Sequence, residues 1–151
     1  MSIDYRLTLA GQVCLPDLAA RAFPDPADVA RFEPYLATLG AEMSEQRGFD
    51  VTLLTGRNGY LDADGDDGPW EWEPEHYTDL SFRMDKFGPP DRGARNMVVA
   101  VDRVLRSGVE DAALVLNGEV LVLTRFGGQL RKQNRERWWR YYPGAESLIP
   151  G

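Results

Sequence analysis

Two periodicities alternate along the chain. In "IDYRLTL", Ile3, Tyr5, Leu7 and Leu9 fall on one side and Asp4, Arg6 and Thr8 on the other, the period of a half-buried strand. "PDLAARAF" and "DPADVARF" read as short helices, the second with Asp25 as N-cap and Pro26 as first helical residue. Pro34 argues for a break, and residues 35–47, interrupted by Gly40, fit neither period and stay unassigned. Phe49, Val51 and Leu53 then alternate ahead of Asn58-Gly59, a pair that tolerates the positive φ angles of a tight turn. This predicts a hairpin with a run of acids on its returning strand.

Leu80, Phe82 and Met84 mark a further strand. Met97, Val98, Val101, Val104 and Leu105 have helical spacing, entered through Pro89 and Pro90 and closed at Gly108, which predicts one long helix over about residues 91–107. "DAALVLNGEVLVLTRF" repeats the Asn-Gly device at Asn117-Gly118 between two strands apolar enough to be covered on both faces, which places the sheet's centre there. The order predicts an α+β fold: a mainly antiparallel sheet of about five to six strands, with the long helix and short N-terminal helices packed against it. At 151 residues the chain reads as a single domain, 1–151, able to bury a substantial core.

Composition narrows the class. With 43% hydrophobic and 11% aromatic residues the chain reads as globular rather than disordered. It has no apolar run near the length of a membrane span, and its first residues lack the order of a signal peptide. Cys14 is the sole cysteine, so neither an intrachain disulfide nor a Cys-rich zinc site can form, and a reducing cytoplasm is the expected compartment. Cys14 itself reads as a small hydrophobe near a strand end.

The net charge of −7 is concentrated in one place. Residues 58–82 hold Asp62, Asp64, Asp66, Asp67, Glu71, Glu73, Glu75 and Asp79 without one Lys or Arg, so this block alone exceeds the net charge of the whole chain. Such a field disfavours nucleic acid and anionic membrane as partners and favours cations or a basic protein.

Three chemistries compete for "DADGDDGPWEWEPE". Asp62, Asp64, Asp66 and Glu73 match the first, third, fifth and twelfth positions of a calcium loop, but Asp67 stands where the turn needs Gly, and the flanks read as strands rather than helices. A general acid and base pair could come from Asp62, Asp64, Glu71 and Glu73 if one were desolvated, which would make the chain a small metal-dependent hydrolase. Third, an extended "WEWE" sets Trp70 and Trp72 opposite Glu71 and Glu73, with the indoles either covering the core or anchoring a partner. His76 reads as structural, and no catalytic residue, cofactor site or metal site is assigned. The basic, aromatic "RKQNRERWWRYYPG" reads as a closing segment that packs its rings on the sheet and offers Arg side chains to the protein's own acids, rather than as a base-stacking platform.

Overall pattern adds a further expectation. The segments "DYRLTLAG", "GFDVTLLTGRNGYLDADGDDGPWEWEP", "FRMDKF", "EDAALVLNGEVLVLTR" and "RERWWRYYPGAESLIPG" together resemble the Sit-type immunity proteins, which protect bacteria against swarming-inhibition toxins of their own kind. The resemblance implies a non-enzymatic inhibitor that binds a cognate toxin, and it transfers no inhibitory residue by position. Joined to the charge pattern, it predicts a toxin-binding surface of Asp62, Asp64, Asp66, Asp67, Trp70, Glu71, Trp72 and Glu73, against a toxin that is basic at the contact. A regulatory module with another partner remains open.

Overall fold

A computed structural model describes residues 2–151. Among the described residues the sheet has ten strands: β1 (Asp4–Ala10), β2 (Glu33–Tyr35), β3 (Thr38–Met43), β4 (Phe49–Arg57), β5 (Leu61–Gly65), β6 (Gly68–Trp72), β7 (His76–Met84), β8 (Ala112–Leu116), β9 (Val120–Phe126) and β10 (Gln129–Lys132). Five helices accompany them: α1 (Leu15–Ala22), α2 (Pro26–Val29), α3 (Ser44–Arg47), α4 (Pro90–Arg106) and α5 (Pro143–Glu146). The strand order is β2-β3-β4-β7-β1-β8-β9-β5-β6, with β10 also on β9.

This overturns the expected sheet of about five to six mainly antiparallel strands under one long helix. The sheet is mixed, because β5 meets β9 in parallel at Asp64 and Val120. The unassigned segment 35–47 supplies β3, α3 and the end of β2. Its pattern is mute because β2 is exposed at all three positions, and Pro34, expected to break structure, is tolerated there because β2 is a border strand. The polar β10, "QLRK", is another border strand without an apolar stripe.

Asn58-Gly59 does not join a hairpin in the way expected. Asn58 adopts a φ of +53°, but β4 pairs with β7 over its whole length, from Phe49 opposite Met84 to Arg57 opposite His76. The Asn58 N–H donates to the Glu75 carbonyl at 2.6 Å and the Gly59 N–H to that of Pro74 at 2.9 Å, closing the ladder. Residues 58–75 are therefore an excursion from the end of a β4–β7 hairpin, and β5 and β6 form their own hairpin within it. Asn117 and Gly118 do form a tight turn, with φ of +51° and +66°, between the antiparallel β8 and β9.

The inner face of the sheet carries the main core. Tyr5, Leu7 and Leu9 of β1 point into it, with Phe49 and Phe82 meeting edge to face at 5.1 Å. Ala94, Met97, Val98, Val101, Val104 and Leu105 of α4 close it, helped by Leu18, Ala19 and Ala22 of α1. The Asp25 carboxylate accepts the Ala27 N–H at 3.0 Å and caps α2. Trp138 and Trp139 from the closing segment are buried in the same core. The Trp138 indole N–H donates to the Tyr5 hydroxyl at 2.7 Å, and that of Trp139 to the Val122 carbonyl at 2.9 Å.

Burial pushes the Tyr5 hydroxyl pKa well above its usual value, against the opposing Trp138 N–H. A phenol held neutral in the fold contributes stability that is complete below the unfolded-state pKa and is lost as pH rises toward the folded one. Tyr5→Phe leaves the Trp138 N–H buried without an acceptor, an expected loss of about 1–3 kcal/mol at neutral pH in urea denaturation. The variant should also lose less stability than the parent above about pH 10, the unfolded tyrosine pKa.

Candidate functional site

The outer face of the sheet is apolar where β8 and β9 cross it, through Ala113, Val115 and Leu121. The excursion of residues 58–75 crosses this face, and Leu61, Ala63, Trp70 and Trp72 of the β5–β6 hairpin pack there as a second, smaller core. Trp72 meets Phe126 edge to face at 5.1 Å, and Trp70 lies 6.4 Å from both rings. Both indoles remain half-buried. Each ring is therefore partly in the core and partly at the surface.

Strand alternation does the rest. With Leu61, Ala63, Trp70 and Trp72 turned inward, Asp62, Asp64 and Glu71 turn outward, and all three are exposed. Glu73 just beyond β6 is exposed as well. Asp62 and Glu71 stand directly opposite each other across the hairpin. Like charges facing across a pair of strands repel, and among the described residues no Lys or Arg forms a salt bridge with any of these four acids. The Tyr60 hydroxyl donates to Glu71 at 3.2 Å, a bond that, with the surrounding acids, raises the Tyr60 pKa.

Asp66 and Asp67 occupy the turn between β5 and β6 and are exposed. Asp66 also clamps the turn. Its carboxylate accepts the Asn134 N–H at 2.8 Å, while its own N–H donates to the Gln133 side chain at 2.9 Å. The Asn134 amide donates to the carbonyls of Asp64 and Leu121, both at 2.8 Å, and so pins the hairpin to β9. The sequence held no sign of this clamp, because Asp66 and Asn134 are far apart along the chain and neither belongs to a periodic pattern.

Among the described residues no three His, Cys, Asp or Glu side chains gather to hold a metal ion, and the calcium-like spacing falls on a hairpin rather than between helices. All four carboxylates considered for acid and base work are open to solvent, whereas that chemistry calls for one desolvated partner. The buried carboxylate of this block is Asp79, on β7. It sits 2.9 Å from Arg6 Nε and accepts from the Thr8 hydroxyl at 2.7 Å. Burial raises its pKa, with Thr8 and Arg6 opposing. Beside the start of the hairpin a groove of about 660 Å³ is lined by residues of mixed charge, among them Asp4, Arg6, Asp62 and Arg83.

The closing segment packs its two indoles inward and leaves Arg131, Arg137 and Tyr141 exposed. Trp138 and Trp139 are buried, Lys132 Nζ lies 4.8 Å over the Trp139 ring and donates to the Glu146 carbonyl, and Arg135 pairs with Glu146 at 2.8 Å. Its two indoles are therefore closed to a nucleic-acid base. His76 is half-buried, with a buried Nδ1 that has no hydrogen-bond partner among the described residues. Cys14, expected as a small hydrophobe, is exposed at the N-cap of α1 instead.

The SitI3-like family model matches residues 3–143, taking in the sheet, α4 and the whole acidic hairpin. The chain belongs to the SitI3-like family. This is a Sit-type immunity protein family, and the match therefore covers both the scaffold and the excursion that the scaffold carries. Comparisons with curated proteins and with solved structures returned no match. Among the described residues no helix is long and apolar enough to cross a membrane.

Asp66→Ala tests the clamp. Removing the acceptor of the Asn134 N–H is expected to cost about 1–3 kcal/mol, felt chiefly as local opening of the hairpin. Hydrogen exchange should quicken at the amides of β5 and β6 while those of β1 and β7 keep their rates.

Proposed function

We propose that this protein is a non-enzymatic immunity protein that binds a cognate bacterial toxin and neutralises it through the acidic, Trp-containing surface of the β5–β6 hairpin. Family membership supports the immunity role. The observation that carries the choice of surface is the outward row of Asp62, Asp64, Glu71 and Glu73, exposed, outside every salt bridge of the described residues and set around two half-buried indoles. A stable fold gains nothing from placing Asp62 opposite Glu71, whereas a basic partner relieves that repulsion on binding.

The physical course of binding follows from this arrangement. Long-range attraction draws the toxin's Lys and Arg side chains toward the hairpin and speeds encounter; desolvated contacts at Trp70 and Trp72 then set the lifetime of the complex. The toxin is basic where it touches, and the protein acts in the cytoplasm of the cell it protects, in competition between bacteria. Neither a cofactor nor a metal takes part.

The test is the association rate with the cognate toxin, sought first among the products of the neighbouring genes. Asp62→Asn, Asp64→Asn, Glu71→Gln and Glu73→Gln combined should slow association about tenfold or more at low salt and flatten its salt dependence. Asp66 is left intact so that the hairpin stays clamped. An unchanged rate would move the interface to another surface.

A further inference from the structure

Among the described residues, strand β6 is bonded to β5 on one side and to no other strand on the second, so it forms an open border of the sheet. Such a border offers unpaired backbone N–H and C=O groups to any extended chain that reaches it. Of the other borders, β2 carries Pro34 at the centre of its three residues, and β10 carries Arg131 and Lys132, which repel a basic strand. In β6 the proline is Pro69, near the turn; Trp70 and Trp72 spend their N–H groups on β5, and Glu71, with Glu73 just beyond, points its N–H to the open side. A partner strand therefore meets a usable border at β6 and an interrupted one at β2.

The two faces of β6 differ in chemistry. Glu71, with Asp62 beside it, faces solvent, whereas Trp70 and Trp72 face Phe126. A cavity of about 290 Å³ opens next to Trp70 and Phe126 and reaches Thr124 and Gln129. A strand laid along β6 continues the pleat, so its side chains alternate between these two environments. A second copy of this chain is a poor occupant, because pairing β6 with β6 sets glutamates against glutamates.

We propose that an extended segment of the toxin, alternating Lys or Arg with apolar residues, adds to β6 as a further strand, with its cations beside Glu71 and Asp62 and its apolar side chains on Trp70, Trp72 and Phe126. This rests on the reading of the hairpin as the toxin-binding surface and states how the toxin is held there. Alternation, and not charge alone, is what the border recognises.

Two synthetic peptides of identical composition test it: Lys-Val-Lys-Ile-Lys-Val and its block isomer Lys-Lys-Lys-Val-Ile-Val, each titrated into the isotope-labelled protein. The alternating peptide should bind at least about tenfold more tightly, a difference of about 1.4 kcal/mol, and should slow amide exchange at Glu71 and Glu73. Equal binding of the two, or no binding by either, overturns strand addition. The same exchange experiment on the complex with the cognate toxin distinguishes strand addition from neutralisation as such. Protection at Glu71 and Glu73 supports the proposal; a bound toxin with protection elsewhere overturns strand addition and leaves neutralisation standing. A toxin that does not bind at all overturns both.

Discussion

Strands β8 and β9 are apolar on both faces, and the helices can cover only one of them. Ala112 and Leu114 point to the main core under α4, while Ala113 and Val115 on the same strand point the other way. Left open, that second face would expose a contiguous apolar patch to water, a liability for any folded domain. The excursion of residues 58–75 resolves this by leaving the end of the β4–β7 ladder and laying the β5–β6 hairpin across it. The hairpin's inward residues are thereby committed to packing. Its outward residues are free to carry something else.

What they carry is charge of one sign. Elsewhere several ions pair in ordinary ways: Arg21 with Glu110, Arg47 with Asp28, Arg6 with Asp79 and Arg135 with Glu146. On the outward face of the hairpin Asp62 stands opposite Glu71 and neither is in a salt bridge among the described residues; where Glu42 likewise faces Asp50 across β3 and β4, Asp50 is tied to the Met43 N–H and the Ser44 hydroxyl. Local rules of stability are most often broken at functional surfaces, and the clamp of Asp66 and Asn134 shows how the repulsive element is held in place. The same acids discourage pairing of β6 with a second copy, which matters for a strand with an open border.

Legibility in the sequence followed burial. Where one face of an element is fully buried the periodicity is clean, as in β1, β7 and the apolar face of α4, and these stretches could be read from the residues. Border strands gave no such signal: β2 is exposed throughout and β10 is polar, so the strand count fell short. Asn58-Gly59 misled for a different reason. The residue type reports tolerance of a positive φ, which Asn58 adopts, but not which strands flank the turn, and pairing of β4 with β7 depends on contacts across the excursion. The acidic block was visible as composition, and its division into inward indoles and outward carboxylates followed from alternation. Its anchoring to Asn134 and its place on β9 did not, because both are long-range contacts.

Whether the toxin sits on the acidic face of β5 and β6 is decided most plainly by a crystal structure of the complex with the cognate toxin. The β5–β6 hairpin should be buried in the interface, with toxin Lys or Arg side chains within ion-pair distance of Asp62, Asp64, Glu71 or Glu73. A complex in which the hairpin remains in solvent and the toxin rests on the helical face would contradict it.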